Sequence, residues 1–108
     1  MQNINRNLQS EETSISIVIP VYNEREGLNI LRESLVKTIE GWIARGWKLQ
    51  IEIILVNDGS TDGSKEILDR FAMEDRRFNI IHLSRNFGHQ EALSAGLAFA
   101  NGSCVAVL

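Results

Sequence analysis

The 108-residue sequence has little cysteine: Cys104 is the only one, so no disulfide can form within the chain. A lone cysteine is typical of proteins from reducing compartments, and we therefore expect a cytoplasmic location. No apolar run approaches the roughly 18 residues that a membrane-spanning helix needs. Positive charge is also scarce, because 11 Lys and Arg against 14 Asp and Glu leave a net charge of −3. This balance argues against a nucleic-acid partner.

Several catalytic and cofactor motifs are missing as well. The sequence contains neither the G-x-G-x-x-G of dinucleotide-binding folds nor the G-x-x-x-x-G-K-[ST] of P-loops. His82 and His89 have no cysteine or further histidine at a zinc-ligand spacing, and Ser60 has no histidine base at a recognisable offset. The simplest interpretation is that His82 packs in the core and that Cys104 is a small buried hydrophobe.

What the chain does have is an alternation of β-branched and helical segments. The strand-like segments cover residues 14–22, 48–57, 78–83 and 103–108. The first helical pattern carries one apolar stripe (Leu28, Leu31, Leu35, Ile39 and Trp42), preceded by a capping-box arrangement of Asn23 and Glu26. The second covers about 63–77 with Asp62 as its N-cap, and the third, about 90–101, is apolar enough to predict deep burial.

The order β-α-β-α-β-α-β predicts an α/β fold, a three-layer sandwich with a parallel sheet in the strand order 3-2-1-4. We expect residues 1–13 to be a flexible N-terminal leader and residues 14–108 to form one domain. Strand four would then have an uncovered apolar edge. Either the chain is part of something larger, or it completes its sheet with another chain, for instance as a homodimer through strand four.

Polar residues follow each of the first three strands, where open parallel sheets bind ligands. After strand one, Tyr22 is suited to lie against a base, or it packs while Asn23 merely caps a helix. After strand two, Asp58 is placed to accept hydrogen bonds from a ligand, whereas the alternative is an Asp-Gly turn. After strand three, Arg85 precedes a helix start and forms either an anion site or a solvated loop.

Three segments together resemble the N-terminal half of glycosyltransferase family 2, which has the GT-A fold. They are SIVIPVYNE at 16–24, ILVNDGSTDGS at 54–64 and LSRNFGHQEALSAGLAFANG at 83–102. The third segment is similar to the branch that contains dolichol-phosphate mannosyltransferases and polyprenyl-phosphate glucosyltransferases. Each segment alone is weakly specific, but all three occur in order, each after a predicted strand. The resemblance implies transfer of a hexose from a nucleotide diphosphate sugar, with a polyprenyl phosphate as the acceptor.

The resemblance also implies a nucleotide-sugar site made of residues from the three segments. Base and ribose would lie against Pro20, Tyr22, Asn23 and Glu24. Asp58 would contact the base, its loop shaped by Gly59, Ser60 and Asp62. The diphosphate would meet Arg85, Asn86 and Gly88.

The sequence departs from the family pattern in two places. Asn57 stands where most relatives have an aspartate, and no Asp-x-Asp occurs anywhere in the chain. In the family that motif holds Mg²⁺ or Mn²⁺ on the diphosphate, so we expect no tight metal binding by this chain and little or no transfer activity. No catalytic or metal-ligating residue is assigned. The alternative function is a non-catalytic truncated assembly or regulatory module. If the chain is a glycosyltransferase with a polyprenyl-phosphate acceptor, the expected location includes the inner face of the membrane.

Overall fold

The computed structural model describes residues 12–108, in which strands and helices alternate along the chain. The elements are β1 (Thr13–Val21), α1 (Leu28–Ala44), β2 (Leu49–Asn57), α2 (Ser64–Glu74), β3 (Phe78–His82), α3 (His89–Phe99) and β4 (Cys104–Val107), with a 3-10 turn at Arg25–Gly27. Most of the predicted leader lies outside the described residues, and Thr13, its last residue, begins β1. Within 12–108, no helix is both long and apolar enough to cross a bilayer.

The four strands form one parallel sheet in the order β3-β2-β1-β4, which confirms the predicted fold class and strand order. The last residues of three strands are level, because Val21 pairs with Asn57 and Asn57 pairs with His82. The loops that follow β1, β2 and β3 therefore leave the sheet side by side. This edge of the sheet, with its three loops, is called the loop edge below.

The sheet has a core on each face, since successive side chains of a strand point to opposite sides. Ile53 and Leu55 of β2 belong to the larger core, beneath α1 and α2, together with Leu68 and Phe71. The smaller core lies beneath α3, and its fully buried members are Val18, Ile54, Val56 and Ala92. Coverage on both faces explains the nearly continuous apolar runs of β1 and β2.

The prediction that the third helix is deeply buried is wrong. Only Ala92 and Gly96 of α3 are buried, while Leu97 and Phe99 are 43% and 64% exposed. The helix contacts the sheet closely along one face: a Cβ at Gly96 would lie 2.4 Å from Val18 Cγ1. Among the described residues nothing covers its opposite face, and this is why its apolar composition did not translate into burial.

The predicted burial of Cys104 is also wrong, because the residue is exposed. Every residue of β4 is exposed, including Val105 at 46% and Val107 at 45%. Within residues 12–108, β4 pairs with β1 alone. The predicted uncovered edge is therefore present in the part of the chain that the structure describes.

Candidate functional site

The loops that follow β1 and β2 are joined by hydrogen bonds. The Asn23 amide donates to Ser60 Oγ over 2.9 Å, and Asn23 Oδ1 accepts the Thr61 amide at 2.8 Å. The predicted capping box of Asn23 and Glu26 is wrong, because α1 has Gly27 as its N-cap and no side-chain cap. Asn23 adopts a left-handed backbone (φ 49°), which directs its side chain to the neighbouring loop instead.

A second contact between these loops involves Asp62. Its Oδ2 accepts the Arg25 amide at 3.1 Å, and its Oδ1 accepts the Ser64 amide at 3.0 Å and the Ser64 hydroxyl at 2.6 Å. The hydrogen bond from the Ser64 hydroxyl lowers the pKa of Asp62 below its ordinary value. The prediction of Asp62 as the N-cap of the second helix is wrong by one residue, because α2 has Gly63 as its N-cap and no side-chain cap hydrogen bond. Asp62 instead binds Ser64, the first residue of α2.

Asp58 joins the loop after β2 to the loop after β3. The residue is only 3% exposed, and its two carboxylate oxygens accept the amides of Phe87 (2.8 Å) and Gly88 (3.0 Å). The sequence offered a ligand contact or a simple turn for Asp58, and the structure adds a third role, that of holding the start of α3. The partners lie 29 and 30 residues away, so no local pattern indicates this contact.

Gly59 permits the close approach of the same two loops. Its φ is +72°, and a Cβ there would lie 2.3 Å from the Arg85 carbonyl carbon and 2.4 Å from the Asn86 nitrogen. An alanine would therefore clash with backbone rather than with a movable side chain. Asp58 and Gly59 together place Arg85 and Asn86 beside the loop after β2.

The other predicted site residues are distributed between exposed and half-buried positions. Tyr22 is 46% exposed, and the exposed Arg85 guanidinium lies 4.4 Å above the centroid of the Phe87 ring. Asn23, Glu24 and Asp62 line one open depression of about 470 Å³. Pro20 is half-buried and lines, with Glu24, a separate hollow above α1. The predicted residues thus share one edge without converging on one pocket.

A metal site is not formed by the residues described. Within 12–108, no three or more His, Cys, Asp or Glu side chains are grouped so that they could hold a cation. At the loop edge, Asp58 accepts the amides of Phe87 and Gly88, and Asp62 accepts the amide of Ser64. The described residues therefore do not fit the Mg²⁺ or Mn²⁺ that the sequence resemblance implies.

Two polar networks were missed by the sequence analysis. His82, predicted to pack in the core, has a 26% exposed side chain that lies 3.0 Å from Asn57 Nδ2 and 2.7 Å from Asp69 Oδ1. At the other end of the strands, buried Ser16 donates its hydroxyl to Glu52 Oε2 at 2.5 Å, and the same oxygen accepts the Asn101 amide at 2.7 Å.

Partial burial by itself would raise the pKa of Glu52. The hydrogen bonds from Ser16, Asn101 and Gly102 outweigh that effect and lower the pKa below its ordinary value. Ser16 Oγ also accepts the Gly102 amide at 2.8 Å, so this network holds the turn between α3 and β4.

A family model for glycosyl transferase family 2 matches residues 16–108, which is most of the chain. The chain belongs to glycosyltransferase family 2. This family 2 chain is 41% identical over 103 residues to the uncharacterized glycosyltransferase YkcC of Bacillus subtilis, covering 92% of the chain and 29% of that relative. It is 40% identical over 95 residues to the undecaprenyl-phosphate 4-deoxy-4-formamido-L-arabinose transferase of Proteus mirabilis, covering 87% of the chain and 28% of that relative.

The family 2 chain thus spans less than a third of the length of these two relatives. Among solved structures, it matches the mannosyltransferase PcManGT of Pyrobaculum calidifontis with a TM-score of 0.61 and 22% identity. The match covers 90% of this chain and 27% of that protein, which was solved in complex with GDP-Man and Mn²⁺. This likeness confirms the predicted GT-A fold.

Proposed function

We propose that the loop edge binds the nucleotide diphosphate part of a nucleotide sugar, as the donor-binding part of a glycosyltransferase that transfers a hexose to a polyprenyl phosphate. One observation carries the proposal. The loops after β1, β2 and β3 are hydrogen-bonded to one another at a single edge, through Asn23 to Ser60 and through Asp58 to Phe87 and Gly88. Parallel α/β sheets bind ligands at this edge.

The proposed contacts follow from exposure and charge. Tyr22, with nearly half its surface exposed, is available to stack on the base, while Asn23, Glu24 and Asp62 line the depression proposed for base and ribose. Asp58 uses one acceptor position of each oxygen for backbone amides. A carboxylate has about four such positions, so acceptor capacity for a base N–H remains.

The diphosphate is proposed to meet the loop after β3. Arg85 and Asn86 are exposed there, and Gly88 immediately precedes α3, whose N-terminal end carries positive potential. Gly59 and Ser60 are proposed to shape the adjoining loop, where Ser60 Oγ accepts the Asn23 amide. A guanidinium beside a helix start is a common arrangement for binding phosphate oxygens.

The donor and acceptor classes are supported by related proteins. The structure of PcManGT was solved with GDP-Man, and the Proteus mirabilis relative is named for undecaprenyl phosphate. In such enzymes a divalent cation neutralises the leaving diphosphate. Because residues 12–108 group no ligands for one, we expect this chain to bind donor nucleotide weakly and to transfer little or no sugar. A polyprenyl acceptor would place the enzyme at the inner face of the membrane.

Calorimetric titration of UDP and GDP tests the proposal with a matched pair of variants. Arg85→Gln removes the proposed phosphate contact, and Arg76→Gln removes the same charge from an exposed residue between α2 and β3. Loss of a charged hydrogen bond predicts roughly tenfold weaker binding for Arg85→Gln, whereas Arg76→Gln should bind like the wild type. The absence of binding heat for both nucleotides, or equal affinities in all three proteins, would contradict the proposal.

The exposed edge of β4 favours a second candidate, a non-catalytic module that assembles as a homodimer. Val105, Val107 and Leu108 are all at least 45% exposed there. Light scattering tests the edge pairing, because assembly predicts a dimer that Val105→Lys converts to monomer. A strictly monomeric wild type at high concentration would eliminate this candidate.

A further inference from the structure

His82 connects α2 to the end of β2, directly behind the loop edge. Asn57 and His82 are paired residues of neighbouring parallel strands, so their side chains emerge on the same face of the sheet. Asn57 Nδ2 lies 3.0 Å from His82 Nδ1, and His82 Nε2 lies 2.7 Å from Asp69 Oδ1 on α2. Asn57 is 3% exposed, so its amide has little access to water as an alternative partner.

The hydrogen bonds around Asn57 determine which ring nitrogen of His82 carries the proton. Asn57 Oδ1 accepts the Ser60 amide at 3.0 Å, and only the carbonyl oxygen of the side chain is able to do so. The Nδ2 group, which is a donor alone, therefore faces His82. Nδ1 of the neutral ring must accept that bond, and Nε2 must carry the hydrogen that is donated to Asp69.

The chain of hydrogen bonds continues from Asn57 into the loops. Ser60, whose amide is bound by Asn57, accepts the Asn23 amide on its hydroxyl oxygen at 2.9 Å. Asn23 in turn accepts the Thr61 amide at 2.8 Å while holding a left-handed backbone conformation. A side chain on α2 is thus connected, through His82 and Asn57, to the contact between the loops after β1 and β2.

We propose that His82, as its Nε2–H tautomer, is a positioning residue that orients the Asn57 amide and thereby holds these two loops in the shape that binds the donor nucleotide. The ring itself does not touch the ligand. This inference rests on the proposed function for its effect on nucleotide affinity, whereas the tautomer and the order of the loops are testable without any ligand. Asp69 contributes by accepting the Nε2 hydrogen, and Asn57 by presenting a donor to Nδ1.

Nitrogen NMR of the histidine rings at pH 8 tests the tautomer. His82 should show a protonated Nε2 and an unprotonated Nδ1, and the His82→Asn variant assigns the signals by removing them. Asn57→Asp replaces the donor with an acceptor of nearly the same shape, so Nδ1 should gain a proton. His89, exposed at the start of α3, is the internal reference and should not change. A protonated Nδ1 in the wild type, or no response to Asn57→Asp, would overturn the proposal.

A pair of substitutions at His82 tests the positioning role. Asparagine places an acceptor near the position of Nδ1 and keeps the bond to Asn57, whereas leucine removes it and leaves the buried amide without a partner. His82→Asn should retain the wild-type affinity for UDP and GDP within about twofold, and His82→Leu should weaken it about tenfold. Asn79→Leu, an exposed position of β3 on the opposite face, controls for the loss of a polar side chain from that strand.

Amide hydrogen exchange tests the positioning role of His82 independently of the proposed nucleotide binding. His82→Leu should speed exchange at Ser60 and Thr61, whose amides depend on this network, while His82→Asn leaves it slow. Unchanged exchange in His82→Leu would show that the ring does not hold the loops. If the wild type binds neither nucleotide, the proposed function fails, yet the tautomer and exchange measurements still decide whether His82 orders the loop edge.

Discussion

Gly59 combines a left-handed backbone conformation with a close contact between the loops after β2 and β3. Its φ of +72° disfavours any side chain, and a Cβ would lie 2.3 Å from the backbone at Arg85. Gly59→Ala should therefore destabilise the protein by more than about 1 kcal/mol and weaken UDP and GDP binding. Urea unfolding measures the change in the free energy of unfolding, and calorimetry measures the affinity for UDP and GDP.

Gly41→Ala is the matched control for this prediction. Gly41 is exposed inside α1, and a Cβ there would meet nothing within 4 Å. The same substitution should stabilise the protein by about 0.5–1 kcal/mol, because alanine has the higher helix propensity. If both variants changed stability equally, the close approach at Gly59 would not be the cause.

At the scale of residues, sequence reasoning located the loop edge but not its internal contacts. Asp58 and Asp62 were both singled out, and Asp62 was placed within one residue of the true N-cap, Gly63, because its partner Ser64 is only two residues away. The partners of Asp58, Asn23 and His82 lie at least 13 residues distant along the chain. Local patterns carry no information on such pairs, which exist only once strand register is established.

At the scale of elements, α3 is held at both ends by two carboxylates, one on β2 and one on the residue that directly follows β2. Asp58 accepts the amides of Phe87 and Gly88 before the helix, and Glu52 accepts the Asn101 amide after it. Glu52 lies two residues before Ile54, and Asp58 lies two residues after Val56, so both follow the alternation that points Ile54 and Val56 toward α3. These carboxylates fix the ends of a helix that buries few side chains of its own.

Because the pKa of Glu52 is lowered in the folded protein, the stability of the protein should depend on pH. The folded-state pKa lies below the ordinary 4.5, so the carboxylate stabilises the protein above that pH and loses its effect as the pH falls through the folded value. Glu52→Gln should cost about 1–3 kcal/mol at pH 7, and the difference from wild type should shrink as the pH falls below 4.5 and through the folded-state pKa. Denaturant unfolding at several pH values measures it. Glu33→Gln, which removes an exposed charge from α1, should show no comparable change.

At the scale of the whole molecule, the alternation of elements and their order in the sheet were predictable, because apolar periodicity and parallel connections are properties of the entire chain. The exposed edge of β4 was also predicted, but the exposure of α3 and of Cys104 was not. An apolar composition such as that around Leu97 or Val105 shows what a segment is able to bury, and only the number of layers packed against it determines what is buried. The segments were thus correctly predicted as helix and strand, and only the extent of their burial was predicted wrongly.

The two unequal cores predict unequal stability across the sheet. Ile53 and Ile54 are adjacent and almost fully buried, but they belong to the larger and the smaller core respectively. Ile53→Val and Ile54→Val should each cost about 0.5–1.5 kcal/mol. In native-state hydrogen exchange, however, the Ile54 variant should lower protection mainly in α3, since local opening of a thinly packed element requires less free energy than global unfolding. Amides of α3 that exchange as slowly as those of β1 and β2, in both variants, would show instead that the two faces unfold as one unit.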